Sequence, residues 1–200
     1  MTSGEIYTKN QIDKLGNTLI FLCEKIPNCS KTQLLKLIFI IEEIAVKKYG
    51  IPFFDLRFDV WKLGPVSKDL FVELSEEPIL LSEYIGQERS DTNPSCTIIV
   101  AKKQFCDDEF SDLEINLLND IIDRFRDCSA NELINFTHRE QSPWYKTALK
   151  HGVLDLLEKG KINTTEIEID LSETIKGDEQ KMALYEIHKD FITHSRSFKQ

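Results

Sequence analysis

The chain has 200 residues and a formal net charge of -9, with a pI near 5.0. That is enough for one domain whose core withdraws roughly 70% of the unfolded surface from water, and its acidity opposes phosphate backbones, whose affinity comes from Lys and Arg displacing counterions. Nucleic acid is therefore an unfavoured partner.

Five cysteines, Cys23, Cys29, Cys96, Cys106 and Cys128, form an odd set without Cys-x-x-Cys spacing, which reads as reduced thiols in a cytoplasmic protein. The first residues have neither a basic n-region nor an apolar h-region, so no secretory signal is expected. The most apolar stretch, Leu34 to Val46, is interrupted by Lys36, Glu42 and Glu43 and is shorter than the roughly 20 apolar residues of a bilayer span, so no membrane association is expected.

Four segments carry a hydroxyl residue followed three places later by Glu or Gln: Thr8 to Gln11, Ser30 to Gln33, Ser111 to Glu114 and Ser129 to Glu132. Each predicts a helix start, because the two side chains satisfy amides that the first turn leaves unpaired. Behind the first, Ile12, Leu15, Leu19, Leu22 and Ile26 recur at helical spacing until Pro27. Behind the second, Leu34 to Val46 is apolar around most of its circumference, which predicts the central helix. Gly50 closes it, with Pro52 just beyond. Phe54, Leu56, Phe58 and Val60 then alternate against Asp55, Arg57 and Asp59, as in a short strand.

Gly64-Pro65 reads as a turn with proline at a first helical position, and Leu70, Phe71 and Leu74 give the following short helix, stopped by Pro78. Ser75 to Asn93 reads as loop with one helical turn, and Cys96 to Val100 as a second strand that pairs with the first. Leu113, Leu117, Leu118, Ile121, Ile122 and Phe125 mark an amphipathic helix, and Leu133, Ile134 and Phe136 the one after Ser129. Ser142 caps, and Pro143 starts, a helix carrying Trp144, Tyr145, Ala148 and Leu149. Beyond Gly152, Val153 to Leu157 reads as helix, Thr165 to Ile169 alternates like a strand, and Asp178 to Thr193 reads as a helix. The predicted fold is mainly α, a single compact helical domain around a central apolar helix with a small antiparallel β element. Residues 1–150 form the main domain, and 151–200 a C-terminal extension packed on it.

Neither G-x-x-x-x-G-K-[ST] nor G-x-G-x-x-G occurs, which removes the usual support for nucleotide chemistry. His138, His151, His188 and His194 lack the spacing that sets two ligands on one helical face, so neither a metal nor another cofactor is expected. Cys128 with His138 gives a nucleophile and a base on paper, but a small buried hydrophobe is the commoner role of a free cysteine. Asp107, Asp108, Glu109, Asp112 and Glu114 admit an acid pair or a cation site, yet acidic residues at a helix start are most simply solvated and favoured by its dipole. Trp61 reads as a core aromatic or a partner anchor. Lys36 and Lys62 call for a carboxylate or a path to water, with Glu42 and Asp59 as candidate carboxylates. His138, near a helix end, is expected to bond a backbone carbonyl, with titration or ligand binding as the alternative.

Taken in order, Lys36-Leu37-Ile38-Phe39-Ile40-Ile41-Glu42, Tyr49-Gly50-x-Pro52, Trp61 with Gly64-Pro65-Val66, Thr137-His138 and Pro143-Trp144 resemble the Panacea domain, the SocA-like antitoxin or phage-associated GepA-like family. The likeness runs from about Thr8 to Leu149. It departs at Glu42, where the family commonly has aspartate, and at Asp55-Leu56, where it has glycine-aspartate. The resemblance implies a bacterial or phage-derived antitoxin that binds a cognate toxin encoded beside it without catalysis, and in one branch a proteolysis adaptor handing that toxin to a protease. It points to Lys36, Trp61, Lys62, Gly64, Pro65, His138 and Trp144 as partner-binding or framework positions. A hydrolase-like enzyme using His138 with Cys128 or an acidic pair, and a transcriptional regulator, are the alternatives. The toxin's identity and the oligomeric state stay open.

Overall fold

A computed structural model of the chain describes residues 7–90, 93 and 96–197. The start of the chain examined for a signal, and residues 91 and 92 of the expected loop, lie outside the described residues. The four predicted helix starts are present. Thr8, Ser30 and Ser129 accept from the backbone amides of Gln11, Gln33 and Glu132, whose side chains accept from the cap amides in return. At the fourth, the Ser111 amide and hydroxyl both donate to the Glu114 carboxylate at 2.8 Å. They open α1 (Lys9–Lys25), α2 (Lys31–Tyr49), α4 (Asp112–Phe125) and α5 (Ala130–Thr137).

Helix α2 is the axis of the fold. Every residue from Leu34 to Glu43 is buried, and it packs against α4, α5 and the short 3-10 helix Leu171–Thr174. Leu37, Ile38, Phe39, Ile40 and Ile41 are wholly enclosed, each contributing about 1.5–3 kcal/mol of transfer free energy. Gly50 ends α2 at φ 73°. A Cβ there would lie 2.8 Å from the Lys181 carbonyl oxygen, so glycine is needed for both its conformation and the close approach of the C-terminal α8 (Glu179–Ser197).

The β structure differs from expectation in its pairing. The first strand, β1 (Asp59–Trp61), forms a hairpin with β2 (Gly64–Val66), while β3 (Ile85–Arg89) pairs with β4 (Thr97–Ala101). Two separate two-stranded sheets replace the single pair expected between the first strand and Cys96 to Val100. Pro65 stands in a strand and not at a helix start: α3 (Lys68–Glu73) begins after Ser67. Proline fits there because the Val60 amide opposite it turns the other way, to Ile167 O at 2.9 Å, so no ladder bond across the hairpin is lost. Strand β3 occupies what read as loop, formed through its ladder to β4, and both strands pack on α1.

Helices α6 (Pro143–Lys150) and α7 (Leu154–Glu158) follow α5. The chain then runs antiparallel to β1 through Lys62 N to Asn163 O, Val60 N to Ile167 O and Ile169 N to Phe58 O, at 2.8 to 2.9 Å. The strand-like alternation of Thr165 to Ile169 is thus realised as a single bridge, Asp59 to Glu168. Among the described residues no helix is long and apolar enough to cross a membrane.

Candidate functional site

Helix α2 carries Lys36 into the interior, where it is 2% exposed. Its Nζ donates to the Pro65 carbonyl at 2.8 Å. Neither expected carboxylate is its hydrogen-bond partner. Glu42 accepts from the amides of Phe53 and Phe54 at 2.7 Å and of Leu56 at 3.2 Å, and Asp59 is held by Arg57 and Lys68.

Beside this bond, Gly64 sits at φ 94°, and a Cβ on it would meet Thr137 Oγ1 at 2.7 Å and Lys36 Nζ at 3.2 Å. Backbone conformation and crowding both demand glycine. The Thr137 hydroxyl, fully buried, donates to Ile134 O. The next residue, His138, lies flat on Trp144, ring centroids 3.9 Å apart and planes 11° from parallel. That stack stands in place of the expected carbonyl bond, and His138 Nε2 is buried without a hydrogen-bond partner. Ser142 and Pro143 start α6 so that Trp144 points inward, and its Nε1 donates to the Trp61 carbonyl at 3.0 Å. Trp61 is half-buried: its own Nε1 donates to Thr165 O at 3.2 Å, and its ring meets Phe71 edge-on at 5.3 Å.

The motifs scattered over a hundred residues of sequence therefore meet in one interior cluster that ties α2, the β1–β2 hairpin, α5 and α6 together. Lys36, Gly64, Pro65 and Trp144 are buried, and Trp61, Lys62 and His138 are half-buried. Lys62 stands apart at the hairpin tip, its amide donating to Asn163 O and its Nζ close to Gly160.

The cluster is electrostatically unusual. Burial lowers the pKa of Lys36 to about 7, since a single carbonyl replaces little of the lost hydration of an ammonium. His138 is lowered to about 4, first by burial and second by the neighbouring Lys36 charge.

A second buried carboxylate organises the loop before β1. Burial pushes the Glu42 carboxyl up to about 7, while its amide hydrogen bonds pull it back. The three donated amides hold the loop around Asp55, whose φ of 64° is left-handed. Glycine takes that conformation freely, and aspartate is one of the few other residues that visit it. Glu42→Gln replaces an acceptor by an amide that must face one of these N–H groups. We expect a loss of about 1–3 kcal/mol, with faster amide exchange at 53–56. Unchanged exchange there would show that the carboxylate does not hold the loop.

Sequence reasoning missed the ion pair of Glu43 with Arg139, which fastens α2 to the end of α5. Arg139 also donates to Phe136 O at 2.6 Å and lies over the Phe136 ring. The available signal was an acidic residue in an apolar helix and an arginine directly after Thr137-His138.

The groups considered for catalysis are not assembled. No hydrogen bond joins Cys128 to His138 among the described residues: the Cys128 thiol faces Arg124 O, and burial, then Glu132 and Asp127, raise its pKa, which opposes the thiolate. Asp107, Asp108 and Asp112 are exposed, whereas Glu114 is taken by Lys14 and Ser111. Among the described residues no three His, Cys, Asp or Glu side chains gather as a metal site.

Fold and interior together define a class: a helical domain in which a buried lysine on the central helix clasps a glycine-proline hairpin, backed by a histidine-tryptophan stack. The chain belongs to the family described as Antitoxin SocA-like, Panacea domain, whose model matches residues 34–145. That span contains every member of the interior cluster and leaves out α1, α7 and α8. No curated protein and no solved structure matches the chain. Membership supports an antitoxin role in general terms and, equally generally, a toxin as partner.

Proposed function

We propose that this chain neutralises a cognate toxin, encoded nearby, by direct protein-protein contact. The observation that carries the reading is the family match over residues 34–145, which takes in the whole Lys36, Gly64, Pro65, His138 and Trp144 cluster. No catalytic step is required. The charge of -9 suits the role, because an acidic surface accelerates encounter with a basic partner.

The test is co-expression with the product of the neighbouring gene, scoring growth and co-purification. Rescue from a toxic neighbour with a stable complex supports the reading, and a harmless, unbound neighbour overturns it. Repeating the rescue in cells lacking ATP-dependent proteases separates two forms of neutralisation: blocking survives there, and proteolytic delivery does not.

Lys62 is half-buried at the hairpin tip beside exposed Leu63, which supports a contact with the partner there. Lys62→Glu is expected to weaken toxin binding by about tenfold, or about 1.4 kcal/mol, with an unchanged helical spectrum. Equal affinity would remove Lys62 from the interface.

A further inference from the structure

Helix α8 lies wholly outside the family match. Its inner side is anchored: Tyr185 is buried, and Met182 packs against the core. Its outer side carries Leu184, Ile187 and Phe191, which are 45%, 66% and 66% exposed. Spaced i, i+3 and i+7, they form one continuous apolar stripe. Along one flank of the stripe run Glu186 and Asp190, and these also line a groove with Glu168, Asp170 and Lys189, so that four carboxylates there face one lysine. The face is thus an apolar strip bordered on one side by carboxylates.

We propose that this face of α8 docks a basic amphipathic helix of the toxin, with apolar residues on the stripe and Lys or Arg along the acidic flank. The inference rests on the antitoxin reading and deepens it by placing a partner-specific contact outside the family domain. Charge selects the occupant. A second copy of this chain, packed antiparallel about a two-fold axis, would set the Glu186 and Asp190 flank of one helix beside the same flank of the other, and like charges so placed oppose association. A basic helix meets the same flank with attraction.

The experiment compares the full chain with the double variant Ile187→Glu, Phe191→Glu, and with Leu149→Glu as a control at an exposed apolar residue on α6. Two probes are used: the neighbouring gene's product, and a peptide about five turns long with leucine at helical spacing and lysine elsewhere, matched by a glutamate version. The double variant is expected to keep its circular dichroism and to lose about tenfold or more in affinity for both the gene product and the lysine peptide. The control should bind as the parent does, and the glutamate peptide should not bind. If the parent binds the gene product and the double variant binds it equally, α8 is not the docking face and the antitoxin reading stands. If the parent does not bind the gene product, the antitoxin reading and the toxin docking built on it both fall, and the peptide alone then decides whether the face selects basic helices. A parent that sediments as a dimer broken by the double variant overturns the proposal in favour of a second copy.

Discussion

Lys36→Met is expected to flatten the pH dependence of stability between pH 7 and 10. In the native protein the Lys36 amine has a pKa of about 7, against an ordinary 10.5. Between those values the unfolded chain holds a proton that the native chain has released, so unfolding takes up a proton and stability rises with pH. Below pH 7 both states are charged, and the full cost of burying the ammonium is present. The rise amounts to about 4 kcal/mol, at about 1.36 kcal/mol per pKa unit. Other groups begin to titrate toward the top of this interval, among them the Cys29 thiol, whose pKa burial raises above its ordinary 9.0 and whose effect has the opposite sign. The quantity to measure is therefore the difference between parent and variant in urea unfolding at successive pH values. Parallel curves would mean that Lys36 remains an ordinary charged lysine. The same variant should raise the pKa of His138 above about 4, because it removes the Lys36 charge that helps to depress it. NMR titration of the imidazole reads this directly.

Trp144→Ala is expected to cost about 3–5 kcal/mol, the range for deleting a fully enclosed large aromatic. Trp144 is 2% exposed, covers His138 and bonds the Trp61 carbonyl, so its loss frees the hairpin from α6 as well as opening a cavity. Trp144→Phe keeps the apolar contact and deletes the Nε1 bond, for about 0.5–1.5 kcal/mol. Thermal unfolding of the two variants separates packing from hydrogen bonding. Toxin binding that follows stability in both marks Trp144 as framework. A Trp144→Ala protein that stays stable but no longer binds would instead make it a contact residue.

The parts of this fold that were legible in the sequence are the local ones. Each helix start at Thr8, Ser30, Ser111 and Ser129 is settled by two side chains three residues apart, and the burial of α2 by its own composition. Strand pairing was not legible. Ile85-Gly86-Gln87-Glu88-Arg89 has little apolar alternation, and becomes a strand because β4 supplies its ladder. Gly64-Pro65 looks like a helix start because proline's lost amide is tolerated equally at a first helical turn and at a position that donates nothing to a ladder. The interior cluster was visible as a set of residues and invisible as an arrangement. Lys36 in an apolar helix announced a buried charge, but a backbone carbonyl partner 29 positions away leaves no mark that a side-chain inventory can detect.

The segment 163–169 also decides where this chain can be cut. It takes up the outward amides of Val60 and Lys62 and the carbonyl of Phe58, while the Thr165 hydroxyl takes the carbonyl of Val60. A fragment ending at residue 150 would present those backbone groups as a bare strand margin between Phe58 and Lys62, a template on which further molecules can stack. Truncation to the family domain is thus expected to give inclusion bodies, and expression trials that keep this segment together with the 3-10 helix and α8, which cover the same core, are expected to remain in solution.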